Sequence, residues 1–229
     1  VLLLDAGNAL WSQRPLTQQT EGKVIIEAMN LMGYDAMAVG DLDLLLGPDV
    51  LRQRIADAQF PILSANVLVA GEQQLLAEPY TIVTLGDHKV GIIGLTWDEA
   101  SLPSDEFQLL KAEDVLAQYV PQLAGQADMI IVLSTMGFEE DQQLSTLMPS
   151  IDLIVGGRNR LPLPESWQNQ DSGTVVTQAG AQGEWIGRRV LHLNSVGEVT
   201  GYADELLLLT EDYPDDPEMR AFLDSYSVQ

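Results

Sequence analysis

Met129-Ile130-Ile131-Val132-Leu133-Ser134-Thr135-Met136-Gly137 opens the stretch that decides the fold, and Ile151-Asp152-Leu153-Ile154-Val155-Gly156-Gly157 closes it. Residues 129–133 and 151–155 are near-continuous apolar runs, too short for helices, so each predicts a strand covered on both faces. Between them, residues 139–147 predict a short helix. Strand, helix, strand in that order is a parallel βαβ unit. The same alternation runs toward the start of the chain. Residues 21–32 predict a helix with Val24, Ile25, Ala28, Met29 and Met32 on one face, stopped by Gly33. Residues 35–39 predict a strand, 48–58 a helix with Pro48 in its first turn, and 61–65 another strand. Residues 80–85 and 89–95 flank Gly86-Asp87-His88 as a hairpin, and 112–123 predict a helix.

Residues 174–178, 186–194 and 199–209 predict the strands of a final meander. Residues 161–173, rich in Pro, Gln, Asn and Ser, predict a long loop. Residues 214–226 predict an acidic helix, with Asp216 as N-cap and Pro217 as its first residue. Val1-Leu2-Leu3-Leu4-Asp5 reads as a buried strand with no turn or cap ahead of it, so either proteolytic processing or an upstream piece outside this sequence is expected. The class is α/β.

The 229 residues and 25.0 kDa suit one domain with a sizeable core. The formal net charge of −23 excludes a general nucleic-acid binder, because such a field repels phosphate backbones, and it disfavours anionic lipid in the same way. With 46% hydrophobic residues, the chain is no disordered acidic polymer. No apolar run approaches the roughly 20 residues of a membrane-spanning helix. The absence of Cys excludes disulfides, thiolate metal sites, Cys nucleophiles and c-type haem attachment within this sequence.

Ligands of α/β sheets bind beyond the carboxyl ends of strands. Four loops stand there: Asp5-Ala6-Gly7-Asn8, Gly40-Asp41-Leu42-Asp43, Ser134-Thr135-Met136-Gly137 and Gly156-Gly157-Arg158-Asn159-Arg160. Taken singly, each reads equally as a plain strand-to-helix turn. Ser64 and Ser134 have no His or Lys partner within sequence reach, which leaves a serine hydrolase unsupported. Gly180-Ala181-Gln182-Gly183 lacks the Lys-Ser/Thr signature of a phosphate loop and reads as a turn. Trp11 and Trp97 follow strand ends, where they either cover a cleft or pack; Trp167 and Trp185 are scattered elsewhere.

Together and in order, these loops resemble the metal-binding loops of the calcineurin-like metallophosphoesterases, and within them the catalytic domain of the 5′-nucleotidase and UDP-sugar hydrolase family. The resemblance covers nearly the whole chain. It is carried by Leu2-Leu3-Leu4-Asp5-Ala6-Gly7-Asn8, residues 29–36, Phe60-Pro61-Ile62-Leu63-Ser64-Ala65-Asn66-Val67, Val90-Gly91-Ile92-Ile93-Gly94-Leu95-Thr96, residues 151–157 and residues 178–183. It implies a four-layer αββα sandwich with two central mixed sheets, whose first strands lie upstream of this sequence.

The same comparison implies that the metal site is lost. The family holds two divalent metals, zinc or manganese, on Asp, His and Asn ligands. Its bridging Asp falls on Asn8. Its Asn ligand falls on Asp41, its leaving-group His on Leu42, and the Asp orienting that His on Leu45. A further His ligand falls on Thr135, and in the loop of Gly-His-Ser followed by His or Gln the last three positions fall on Arg158-Asn159-Arg160. A further Asp-x-His pair of the family falls upstream of Val1. The histidines present, His88 and His192, match none of these positions. Arginine offers no lone pair to a metal.

What replaces the metals is open among three readings. Asp5, Asp41 and Asp43 on one side and Arg158 and Arg160 on the other are separate solvated charges, or they neutralise one another as bidentate pairs, or the arginines grip an anionic ligand. The expectation carried into the structure is a salt bridge from Arg158 or Arg160 to Asp5, Asp41 or Asp43.

The function that follows from the resemblance is a non-catalytic 5′-nucleotidase-like domain, without cofactor or metal, serving as a structural or binding subunit of a larger assembly. The alternatives are a phosphoesterase with an altered metal site and an anion-binding module built on Arg158 and Arg160. By resemblance the location is extracytoplasmic. Residues 1–210 are expected to form the domain, and 211–229 an acidic helix leading to another module or a partner. Asp212, Asp215, Asp216 and Glu218 are the candidate docking acids for a protein partner with a basic surface.

Overall fold

Along residues 129–133, successive side chains enter different environments. Ile130 and Val132 pack with Leu116, Val120 and Leu123, whereas Met129, Ile131 and Leu133 pack with Ala36, Ala38 and Leu63. A strand buried in this way on both faces must lie inside a layered structure. The computed structural model describes residues 1–102, 105–160, 162–194 and 199–226.

In chain order its strands are β1 (Leu4–Asp5), β2 (Ala36–Ala38), β3 (Ile62–Leu63), β4 (Val67–Val69), β5 (Gln74–Leu75), β6 (Tyr80–Leu85), β7 (His88–Leu95), β8 (Phe107–Leu109), β9 (Met129–Ser134), β10 (Leu153–Gly156), β11 (Trp167–Gln168), β12 (Val175–Thr177), β13 (Trp185–Leu193) and β14 (Val199–Leu208). The helices are α1 (Pro15–Gln19), α2 (Lys23–Met32), α3 (Pro48–Asp57), α4 (Ala112–Ala124), α5 (Phe138–Leu147) and α6 (Pro217–Tyr226), with a 3₁₀ turn over Asp43–Leu46.

Two central sheets carry the fold. One has the parallel order β1-β2-β3; the other has the order β11-β12-β10-β9-β7-β6, mixed in direction. Ala36, Ala38 and Leu63 of the first meet Val90, Ile92, Met129, Ile131, Leu133 and Leu153 of the second. Outside the first sheet, Met37 and Ile62 pack on Ile26, Met29 and Leu51 of α2 and α3. Outside the second, Ile93, Leu95, Ile130 and Val132 pack on α4 and α5. The layers are therefore helix, sheet, sheet, helix, as the resemblance implies. Gly94 sets how closely the sheets approach: a Cβ there would lie 2.5 Å from the Leu63 carbonyl oxygen.

The structure corrects the sequence reading in three places. Residues 174–178 do not join a meander. Instead β12 enters the main sheet parallel to β10, with Leu153 opposite Val175, while β13 and β14 pair only with each other among the described residues. Within the expected loop 161–173, Trp167–Gln168 forms a strand antiparallel to β12; Leu161 lies outside the described residues. The strand expected over residues 1–5 is confined to Leu4–Asp5, though Leu2 still packs in the core between the sheets. Strands of two or three residues such as β4, β5 and β8 escape a sequence reading because they complete no recognisable period.

The β13–β14 hairpin carries a buried cross-strand ion pair, and the hydrogen bonds of that pair to Ser166, Thr177 and Leu163 tie the hairpin to the body. Arg189 Nε and Asp204 Oδ1 are 3.0 Å apart, with side chains only 7% and 9% exposed. Ser166 donates from its backbone N–H and its hydroxyl to Asp204, and Arg189 Nε also donates to Thr177 Oγ1 at 2.6 Å. Helix α6 starts as the sequence predicts: Asp216 Oδ1 accepts the N–H groups of Glu218 and Met219, each at 2.9 Å. Its far end returns to α2, where the Tyr226 hydroxyl donates to Glu27. Residues 227–229 lie outside the described residues. Among the described residues no helix is long and apolar enough to cross a membrane.

Candidate functional site

Strands β1 and β2 are parallel neighbours, Asp5 opposite Met37, so the two loops that leave their carboxyl ends lie side by side. Gly7 at φ +113° and Asn8 at φ +64° turn the first loop toward the second. Asparagine tolerates this left-handed conformation better than most residues. Its carboxamide then bridges the loops: Leu42 N–H donates to Asn8 Oδ1 at 2.8 Å, and Asn8 Nδ2 donates to Asp41 Oδ1 at 3.1 Å. The side chain lies on Gly40, where a Cβ would come within 2.1 Å of Asn8 Oδ1.

Beneath this bridge Asp43 is fully buried. Its Oδ2 accepts N–H groups from Asn8 and Gly40, each at 2.9 Å, and its Oδ1 accepts that of Leu10 at 2.8 Å. Burial pushes its pKa up to about 7, against the pull of these three donors, and the charge of Asp5 adds to the rise. Asp5 is itself pushed by burial to about 6, opposed by the Gly7 N–H that it accepts at 2.8 Å.

The third and fourth loops leave the neighbouring parallel strands β9 and β10, with Gly156 opposite Ser134. Gly157 N–H donates to the Ser134 carbonyl at 2.8 Å, and Phe138 N–H donates to Asn159 Oδ1 at 2.6 Å. Gly157 also lies against Ala6, whose Cβ would be 2.8 Å from a Cβ added there, which brings the fourth loop onto the first. Thr135 is buried, and its Oγ1 accepts the Trp97 N–H at 3.1 Å. Trp97 packs on the outer core of the second sheet, and the Arg158 guanidinium carbon stands 3.1 Å from its ring centroid. Below, the Ser134 hydroxyl donates to Asp141 Oδ1 at 2.6 Å. Burial pushes Asp141 up to about 8 despite that bond.

The four loops thus converge, but their charges do not pair as expected. Among the described residues neither Arg158 nor Arg160 forms a salt bridge with Asp5, Asp41 or Asp43. Arg158 has an indole face instead, and its Nη1 is buried without a hydrogen-bond partner; Arg160 is exposed. The aspartates are satisfied by backbone N–H groups and by Asn8, which removes the need for a cationic partner. The sequence reading missed Trp97 as the partner of Arg158 and Asp43 as the hub of backbone donors. The Gly7-Asn8 pair, which favours a positive φ, was the available signal.

Leu42 contributes only its backbone N–H, and the Leu45 side chain is 39% exposed on the 3₁₀ turn. Asp212 accepts from Thr210 Oγ1 at 3.2 Å, Asp215 pairs with Arg220, Asp216 caps α6, and Glu218 sits exposed in the first turn of that helix. His88 and His192 lie on the β6–β7 and β13–β14 hairpins. By the resemblance, a neutral amide, a leucine, a threonine and two arginines stand where imidazole and carboxylate donors fall in the family, with Asp41 the one carboxylate, a set that does not suit a two-metal centre. No group of three or more His, Asp or Glu among the described residues is arranged to hold a metal ion.

This layered fold, with four loops meeting at the carboxyl ends of its two sheets, is that of the calcineurin-like metallophosphoesterases. A calcineurin-like phosphoesterase from Bacillus subtilis shares it with a TM-score of 0.83 at 23% identity, covering 99% of this chain and 83% of that one. The crystal structure of a 5′-nucleotidase precursor from Thermus thermophilus superposes with a TM-score of 0.90 at 30% identity, over 99% of this chain and 49% of that one. The bovine 5′-nucleotidase is 30% identical over 254 residues, spanning all of this chain and 44% of its own length. No protein-family model matches. The chain is similar to the 5′-nucleotidases over their metallophosphoesterase-fold domain. It spans about half the length of the relatives it matches.

Proposed function

We propose that this 5′-nucleotidase-like domain is non-catalytic and serves as a structural or binding unit of a larger, extracytoplasmic assembly. The observation that carries the reading is how the loop groups are used. Asn8 is engaged by Leu42 and Asp41, Asp43 by three backbone donors, and Arg158 by Trp97. Metal-assisted phosphoester hydrolysis needs paired cations to activate water and clamp the phosphoryl oxygens. Of the groups at the matching positions only Asp41 brings a carboxylate, and one carboxylate without imidazole partners is too few donors to hold two cations. The test is metal analysis of the purified protein together with a phosphatase assay on nucleoside monophosphates in excess Mn²⁺ or Zn²⁺. The reading expects no stoichiometric metal and no turnover above a blank; metal-dependent hydrolysis that co-purifies with the chain overturns it.

The acidic segment around α6 supports a protein partner with a basic surface. Asp212, Asp215, Asp216 and Glu218 precede or open that helix, and among the described residues only Asp215 of these has a basic partner, Arg220. Complementary charge orients and accelerates docking more than it adds affinity, and exposed charges are screened beyond about 8 Å at physiological ionic strength. Association with native partners is expected to weaken as salt rises and to be lost on replacing Asp212, Asp215 and Asp216 by Lys. Unchanged recovery of the triple variant at low salt removes this edge as the docking site.

A further inference from the structure

The first two loops are held together at the point where the family's fold places a bridging cation, and the group that holds them is the carboxamide of Asn8. The amide accepts from the second loop through Oδ1 (Leu42 N–H, 2.8 Å) and donates back to it through Nδ2 (Asp41 Oδ1, 3.1 Å). Its own backbone N–H reaches Asp43 in the same loop. Three carboxylates surround the position, Asp5, Asp41 and Asp43, and among the described residues none is paired with a basic side chain. An aspartate at position 8 would add a fourth acid to the group and, when ionised, would have no hydrogen to give Asp41. A carboxamide has the size of a carboxylate, carries no charge, and supplies both a donor and an acceptor.

We infer that Asn8 is the stand-in for the bridging cation: a neutral, two-way hydrogen-bonded cross-link that keeps the loops in the family's arrangement without metal, in place of the arginines to which sequence alone assigns the role. The inference rests on the non-catalytic reading above and deepens it, because it identifies what holds the altered centre together. Asn8 is here a positioning residue.

Two substitutions separate the cross-link from the backbone turn. Asn8→Gly keeps a residue at ease with φ +64° and deletes only the side chain. Loss of two hydrogen bonds, one to a carboxylate, predicts a fall in midpoint temperature of about 4–10 °C for a chain of this size. Asn8→Asp restores the bridging carboxylate among the other acids. It is expected to fall at least as far without metal and to regain several degrees in millimolar Mn²⁺, since hard divalent cations take carboxylate oxygens. The unsubstituted chain is expected to show no Mn²⁺-dependent shift. Native hydrogen exchange of the unsubstituted chain gives a reading that does not depend on the variants folding: the Leu42 amide should be strongly protected.

An Asn8→Gly midpoint within about 1 °C of the parent, a Leu42 amide that exchanges as an open loop does, or an Asn8→Asp variant indifferent to Mn²⁺ overturns the inference. Each of these leaves the non-catalytic reading standing, which fails only on metal-dependent turnover by the parent chain.

Discussion

The Arg158 guanidinium stands over the Trp97 ring, with its central carbon 3.1 Å from the ring centroid, although the two residues follow different strands of the second sheet. This stack settles where the permanent charge of the fourth loop goes. It turns Arg158 away from the aspartates of the first two loops and makes the loop's conformation depend on an aromatic face.

The stack should therefore be measurable as a coupling. A double-mutant cycle with Trp97→Leu and Arg158→Met, followed by urea unfolding, is expected to give an interaction energy of about 0.5–2 kcal/mol, the range for a partly desolvated cation over an indole. A coupling indistinguishable from zero would mean that the two side chains are neighbours without holding each other.

Stability should rise on mild acidification. Burial raises Asp5 and Asp152 to about 6, Asp43 to about 7 and Asp141 to about 8, from an ordinary value of 3.8. Acids whose pKa is higher in the folded chain than in the unfolded one take up protons on folding. Their contribution is fully present below the unfolded value and is lost as pH rises through the folded ones. The midpoint temperature is thus expected to be higher at pH 5.5 than at pH 8.5, with Asp141→Asn flattening the upper part of the profile. A stability optimum above pH 8 would contradict these shifts.

Gly40→Ala should be costly for a reason specific to the loop crossing. The new methyl would stand 2.1 Å from Asn8 Oδ1 and 2.5 Å from the Asn8 backbone nitrogen. Backbone atoms cannot yield as a flexible side chain can, so a loss of roughly 2–3 kcal/mol or more is expected from overpacking. Gly125→Ala at the end of α4 is the control, since the nearest atom to its Cβ would be 3.7 Å away and its φ of −85° suits alanine. Calorimetry of the two variants should separate them by several degrees.

Asp204→Ala removes one member of a pair whose partner stays buried. Arg189 retains Thr177 Oγ1 and the Leu163 and Glu205 carbonyls as acceptors, but no compensating charge. Breaking a buried pair in this way costs about 3–5 kcal/mol, and joint replacement with Arg189→Met should recover part of it. A single-variant cost below about 1 kcal/mol would show that the neutral acceptors alone satisfy the guanidinium.

Much of this molecule was legible in the order of its residues, and the part that was not follows one physical rule. The hairpin over β6 and β7, helices α2 to α5 and the strands β9 and β10 stand where apolar periodicity predicts them, because periodicity records which face of a short segment is buried. The residues that the loops carry were equally legible. Whether Asn or Asp follows Gly7, or Arg or His follows Gly157, is a covalent fact that needs no fold. What the sequence could not decide was the choice of partners. Arg158 was expected to seek a carboxylate, yet Asp43 had already been claimed by the N–H groups of Asn8, Leu10 and Gly40, and Trp97 lay within reach. Likewise β12 reads no differently from the strands that follow it, but pairs with β10 rather than with β13. Burial preference is written residue by residue along the chain, whereas pairing is a competition between groups distant in sequence, and only the tertiary structure brings the competitors together.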